Sequence, residues 1–182
     1  MHNSMEEDIR KVLLSEAEIA AIVRRLGEQI SRDYEGKKLL VIGVLKGSFV
    51  FMADLIRALS VPCGVDFLAV SSYGGGTESS GSVKILKDLD MDLHGCDLLV
   101  AEDILDSGRT LSKILEILAT RSPRSVRLCA FLDKPERRQV PMRADYVGAS
   151  VPDEFVVGYG LDYGQRYRNL PYVGVLKPEI YA

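Results

Sequence analysis

Short, nearly continuous apolar runs alternate with stretches of helical period as far as residue 134, and this alternation constrains the fold more than any other feature of the chain. KLLVIGVL (Lys38 to Leu45), VDFLAVSSY (Val65 to Tyr73), VKILKDL (Val83 to Leu89), DLLVAEDI (Asp97 to Ile104) and SVRLCAFLDK (Ser125 to Lys134) have the length and side-chain content of strands. Runs that are apolar at successive positions need cover on both faces, which a parallel sheet between helical layers provides. Ser15 followed by Glu18 is a capping box, and Ile19, Ile22, Val23, Leu26 and Ile30 then recur at helical steps, so a helix is expected from about Glu16 to Tyr34. SFVFMADLIRAL (Ser48 to Leu59) and Thr110 to Arg121, with Leu111, Ile114, Leu115 and Leu118 on one face, supply two more. The expected architecture is a doubly wound, mostly parallel α/β sheet. Beyond it, ADYVGAS, EFVVGYGLDY and YVGVLK, broken by Pro141, Pro152 and Pro171, predict an irregular cap of short strands. In such sheets ligands sit beyond the carboxyl ends of the strands, so chemistry is sought there.

The 182 residues, 47% hydrophobic and 27% charged, fit one globular domain burying about 70% of its unfolded surface. A net charge of −3 gives no global cationic field for nucleic acid or an anionic membrane. No window approaches a membrane span, and MHNSMEEDIRK lacks the basic flank and apolar run of a secretory signal, so a soluble, cytoplasmic chain is expected. Three cysteines (Cys63, Cys96 and Cys129) without a CxxC pair are expected to be free thiols. A dinucleotide dehydrogenase is disfavoured because no G-x-G-x-x-G follows the first strand, and neither a Walker lysine motif nor G-x-S-x-G occurs.

The strongest chemical constellation runs from Val100 to Thr110: an apolar strand, the acids Glu102 and Asp103 at its end, Ile104, Leu105, then Asp106, Ser107, Gly108, Arg109 and Thr110 turning into a helix. Unpaired amides and the dipole at a helix N-terminus favour a phosphate, the hydroxyls of Ser107 and Thr110 add donors, and Gly108 lets the backbone come close. Glu102 and Asp103 repel phosphate, so they make sense against ribose hydroxyls or a hard cation. The plainer alternative is a capped helix after a solvated strand end, with Asp106 as the N-cap.

In this pattern VAEDILDSGRTL resembles the phosphoribosyl-pyrophosphate signature of type I phosphoribosyltransferases, and within that superfamily the chain is similar to the hypoxanthine-guanine phosphoribosyltransferases. Further matches, in order, are Leu45-Lys46-Gly47-Ser48, Ser72-Tyr73 before the glycine- and serine-rich tract Gly74 to Ser82, Lys134 at a strand end, and PDEFVVGYGLDY (Pro152 to Tyr163) followed by Arg168. Arg109 stands where some relatives carry Lys, which keeps the charge. The resemblance implies a single domain, with a core at about residues 38–140, a hood at about 141–182 joined by the N-terminal segment, and a mobile active-site loop. It implies transfer of 5-phosphoribose from phosphoribosyl pyrophosphate to N9 of hypoxanthine and guanine, with Mg²⁺ and a homodimeric or homotetrameric assembly.

By the same resemblance, Asp106 is the general base for the purine N7 proton. Lys46, Gly47 and Arg168 hold pyrophosphate, and Glu102 to Thr110 cradle ribose 5-phosphate. Lys134, Phe155, Val156 and Asp162 bind the purine, Glu102, Asp103 and Asp162 serve the metal, and Ser72 and Tyr73 begin the loop that closes. A cis peptide before Lys46 is common in the family. Taken singly, several of these residues have plainer readings: Lys46-Gly47-Ser48 as an ordinary turn capped by Ser48, Lys134 as a solvated cation, Phe155 as core, and Asp162 in an ion pair with Arg166 or Arg168. A different class, an RNA-binding regulator on this fold, would use Arg121, Arg124, Arg127, Arg137, Arg138 and Arg143, although a buried strand interrupts that basic stretch.

Overall fold

A computed structural model describes residues 5–72 and 83–181, with only the backbone of Ser72. The expected loop from Tyr73 to Ser82 lies outside the described residues. In chain order the elements are β1 (Ile9–Leu14), α1 (Glu16–Asp33), β2 (Leu39–Leu45), α2 (Phe49–Ala58), β3 (Cys63–Ser72), β4 (Val83–Lys87), β5 (Asp97–Leu105), α3 (Arg109–Ala119), β6 (Ser125–Asp133), β7 (Tyr146–Ser150), β8 (Val156–Val157), β9 (Val173–Leu176) and α4 (Pro178–Tyr181). The capping box forms as read: the Ser15 hydroxyl accepts from the Glu18 amide and the Glu18 carboxylate accepts from the Ser15 amide.

The main sheet has the order β4-β3-β2-β5-β6-β7, parallel throughout except for the antiparallel edge strand β4. Two cores clothe it. On one face α1 and α2 bring Ile19, Val23, Leu26, Ile30, Phe51 and Leu55 against Val41, Leu99 and Phe131. On the other, α3 lays Leu111, Ile114 and Leu118 over Leu40, Ile42, Val100 and Leu128. This is the doubly wound arrangement that strands apolar on both faces require. Strand order reverses between β2 and β5, the switch point at which ligands sit in such sheets.

Two features of the cap differ from expectation. Tyr146–Ser150, within ADYVGAS, is a sixth strand of the main sheet, parallel to β6, rather than part of the hood. The separate three-stranded sheet has the order β1-β9-β8, and Ile9–Leu14 was not read as a strand. IRKVLL carries two cations and none of its residues is fully buried, so its pattern is weak; it is a strand because β9 offers it an edge. Asp8 ties this segment down: its carboxylate accepts the Tyr167 hydroxyl at 2.6 Å and its carbonyl accepts the Lys177 amide at 2.9 Å. Only Val156–Val157 of EFVVGYGLDY forms a strand; the chain then winds through positive φ at Gly158, Tyr159 and Gly160, which ends sheet pairing. The three cysteines are free, and no described helix is long and apolar enough to cross a membrane.

Helices α1 and α2 meet where Gly27 lies on Ala58; a Cβ at Gly27 would approach the Ala58 carbonyl oxygen to 2.6 Å and its Cβ to 2.7 Å. Gly27→Val is therefore expected to lower unfolding free energy by about 1–3 kcal/mol through overpacking, read from the urea midpoint.

Candidate active site

The three central parallel strands β2, β5 and β6 end at one edge: Gly43 is level with Ala101, and Leu105 with Asp133. The segments that follow them are Lys46-Gly47, Asp106 to Thr110 and Lys134, so the register brings together three of the predicted motifs. A cavity of ≈ 160 Å³ at this edge is lined by Val44, Glu102, Ile104, Asp106, Ser107, Gly108 and Thr110, among others. A larger one, ≈ 480 Å³, lies between α1 and α2, away from these groups.

Gly108, at φ +78°, is the N-cap of α3, with no side-chain capping bond. Asp106 is therefore not the cap, and the plain alternative for it fails. Its Oδ1 faces Arg137 Nε at 3.3 Å without making a hydrogen bond. Ser107 stays local: its hydroxyl accepts from the Arg109 amide at 3.4 Å and its carbonyl accepts from the Gln139 amide at 3.0 Å. Residues just after Lys134 thus lace the turn from behind.

Glu102 Oε2 is a buried oxygen with no partner among the described residues. Burial, reinforced by the neighbouring charge of Asp103, raises the Glu102 pKa well above the ordinary carboxylate range. Asp103 is pushed up to about 6, first by burial, with bonds from backbone amides and the charge of Arg168 opposing. Its carboxylate lies directly against Gly47, where a Cβ would overlap it, and Gly160, at φ +100°, presses in turn on the Gly47 carbonyl. Neither contact leaves room for a larger residue.

The peptide between Leu45 and Lys46 is cis. Ser48 does not cap α2; its hydroxyl donates back to the Val44 carbonyl at 2.7 Å. Lys46 Nζ and an Arg168 guanidinium nitrogen each donate to the same atom, Gln165 Oε1, at 3.3 Å. Arg168 also donates to the Gly160 carbonyl at 2.7 Å and pairs with Asp162 at 2.8 Å. The ion-pair alternative for Asp162 is thus what the structure contains, and no described group of three or more His, Cys, Asp or Glu side chains is gathered around a metal position.

Lys134 is buried, at 6% exposure, contrary to the solvated-cation alternative, and Nζ donates to the Glu154 carbonyl at 2.6 Å. Burial lowers its pKa, while the carboxylates of Asp106, Asp153 and Glu154 work against that shift. Its ammonium has three N–H donors, so donors remain for a ligand. Phe155 is half-buried in an aromatic group with Tyr163 and Tyr181, and Val156 is buried next to it.

Reading single residues missed the parts played by Arg137, Arg138 and Gln165. Arg138 donates to the carbonyls of Leu105 (3.0 Å) and Asp106 and pairs with Asp133, clamping the ends of β5 and β6 together. Arg137 bridges Asp106 and Asp153. Both had stood only in the basic stretch, and their closeness to Lys134 was the available signal. Of the other arginines in that stretch, Arg121, Arg124 and Arg127 pair with Asp88, Asp97 and Asp33.

A carboxylate pair at the switch point, a helix N-terminus behind it, and two cations from distant parts of the chain meet at this edge. The chain belongs to the phosphoribosyltransferase family: residues 11–164 match the phosphoribosyl transferase domain. It is 51% identical over 178 residues to the hypoxanthine-guanine phosphoribosyltransferase of Staphylococcus aureus, covering 98% of this chain and 99% of that protein. A crystal structure of a hypoxanthine phosphoribosyltransferase from the same organism matches with a TM-score of 0.96 at 51% identity, covering both chains fully. It is also 55% identical to the bifunctional protein TilS/HprT of Listeria monocytogenes, of whose length it spans 28%.

Arg138→Met would leave the Asp133 carboxylate unpaired and the Asp106 carbonyl without its donor, with the Leu105 carbonyl keeping only the Lys134 amide. The expected loss is about 1–3 kcal/mol of stability, by chemical denaturation, with faster hydrogen exchange at the Lys134 amide, which donates to Leu105.

Proposed function

We propose that this chain transfers 5-phosphoribose from phosphoribosyl pyrophosphate to N9 of hypoxanthine and guanine, releasing pyrophosphate. The observation that carries the reading is the meeting of Lys46 and Arg168 on one oxygen, at the strand edge that also holds Asp106 and Lys134. Two cations focused on a single acceptor suit an oxygen of a leaving pyrophosphate, with Gln165 standing in for it. The amides of the first turn of α3 and the hydroxyls of Ser107 and Thr110 suit the 5-phosphate.

Bond making and breaking at C1′ leaves oxocarbenium character on the ribose, so catalysis rests on stabilising the leaving group and disposing of one proton. The purine N9 lone pair forms the bond to C1′, the C1′–O bond electrons leave with pyrophosphate, and Asp106 takes the N7 proton. An ordinary carboxylate suffices because that proton becomes more acidic as N9 bonds. Lys134 donates to the purine O6, which favours a 6-oxo base, since a 6-amino group would set donor against donor. The phosphate-facing cations and buried acids divide the work by charge.

Magnesium fits the residues present: Glu102 has an orphaned buried oxygen, and Asp103 beside it is held toward its neutral form by burial, as acids are where a bound cation would relieve the cost. Mg²⁺ is ordinarily held by one or two carboxylates together with substrate oxygens and water, so a closed protein cage is not required. Glu102 and Asp103 would hold it, with Asp162 freed from Arg168 as a further ligand, and the ion would neutralise charge on the pyrophosphate. The reading includes a homodimer or homotetramer in the cytoplasm, a compartment in which free thiols persist.

Radiolabelled hypoxanthine with phosphoribosyl pyrophosphate and Mg²⁺ is expected to yield IMP; absence of product with every 6-oxopurine overturns the reading. Asp106→Asn should lower kcat by about 10²–10⁴-fold with substrate KM values within a few-fold. Lys134→Ala should cost about 10–100-fold in kcat/KM for hypoxanthine without creating adenine activity, by steady-state assay. Gly47→Ala, whose Cβ would overlap the buried Asp103 carboxylate, should lower activity at least about tenfold and also lower the urea midpoint, by about 1–3 kcal/mol of overpacking.

A further inference from the structure

We infer that Tyr181 is a positioning residue for the purine: it backs the Phe155 ring and holds it in the plane on which the base stacks. This rests on the proposed function, in which Phe155 is the stacking residue. The Tyr181 ring lies 4.8 Å from the Phe155 ring at an interplanar angle of 24°, a stacked pair, while Tyr163 meets Phe155 edge-on at 5.6 Å and 88°. Tyr181 thereby takes one face of Phe155, and the base would stack on the opposite one.

The residues around this group tie it to the base site and anchor it. Glu154, immediately before Phe155, gives its carbonyl to Lys134, and the Phe155 carbonyl accepts the Leu176 amide at 2.9 Å. The backbone on both sides is thus fixed, which leaves the ring torsions as the remaining freedom. Helix α4 is itself held: Ile180, like Ile9, Phe155 and Tyr172, packs against the buried cluster of Val157, Tyr167, Leu170 and Leu176, and the preceding Lys177 amide donates to the Asp8 carbonyl. The Tyr181 hydroxyl makes no hydrogen bond among the described residues and the side chain is 37% exposed, so the ring face is what Tyr181 contributes. Stacked aromatic pairs add stability beyond area burial, and an oriented ring spares the ligand the cost of ordering it. Because Asp106, Lys46 and Arg168 lie elsewhere, the effect should fall on base affinity and spare the chemical step.

The test compares wild type, Tyr181→Ala and Tyr181→Phe by steady-state kinetics with hypoxanthine and phosphoribosyl pyrophosphate, together with thermal unfolding. Tyr181→Ala is expected to raise KM for hypoxanthine about threefold to tenfold, with kcat and KM for phosphoribosyl pyrophosphate within twofold; Tyr181→Phe, which keeps the ring, should match wild type. An unchanged hypoxanthine KM in Tyr181→Ala overturns the inference, as does a fall, which would mean that Tyr181 sits on the face the base needs. A parallel rise in both KM values with a lowered melting temperature also overturns it, showing general loosening. A wild-type chain inert toward every 6-oxopurine removes the proposed function and this inference together, whereas an active wild type with an unaffected Tyr181→Ala removes the inference alone.

Discussion

The parallel register of β2, β5 and β6 is the constraint on which the rest depends. Gly43 level with Ala101, and Leu105 level with Asp133, make three strands stop along one line, so that the three segments leaving them must share one edge. Each strand interior is apolar because helices cover both faces, and each becomes polar where that cover ends. The candidate site sits at that boundary for a physical reason. Backbone amides and carboxylates that would be costly in the core can meet solvent or ligand there, while the sheet holds them rigidly.

Close backbone approach then sharpens the edge into a site. Asp103 fits against Gly47, and Gly160 against the Gly47 carbonyl, so the hood segment carrying Asp162 and Arg168 is seated on the loop carrying Lys46. Arg138 performs a similar service on the other side, joining the ends of β5 and β6 through carbonyls and Asp133. The result is a cluster of opposite charges kept apart by packing: Glu102 and Asp103 buried and driven toward their neutral forms, Lys46 and Arg168 turned to one acceptor, and Lys134 desolvated against a carbonyl. A net charge of −3 conceals this division.

Local pattern accounts well for the regular elements. The Ser15–Glu18 box, the helical steps of α1 and α3 and the apolar runs of β2, β5 and β6 stand where periodicity places them, with ends differing by a residue or two, because each depends on short-range preferences and a single buried face. Pattern did not reveal β1, whose charged, exposed sequence is a strand only by pairing with β9, or the position of Tyr146–Ser150 in the main sheet. Pairing partners are chosen by long-range packing, which a six-residue window does not contain.

By itself the sequence determined the alternation of strands and helices, the doubly wound class, and the chemical character of VAEDILDSGRT, since these follow from hydrophobic period and from the donors and acceptors each residue carries. Only the tertiary structure decided that Lys134 is buried, that Gly108 rather than Asp106 caps α3, that Asp162 is paired with Arg168, and that Lys46 and Arg168 converge on Gln165. Each of those depends on a neighbour far away in the chain. Burial and pairing are properties of the space around a side chain, and that space exists only once the sheet has closed its register and the hood has settled on the loop after β2.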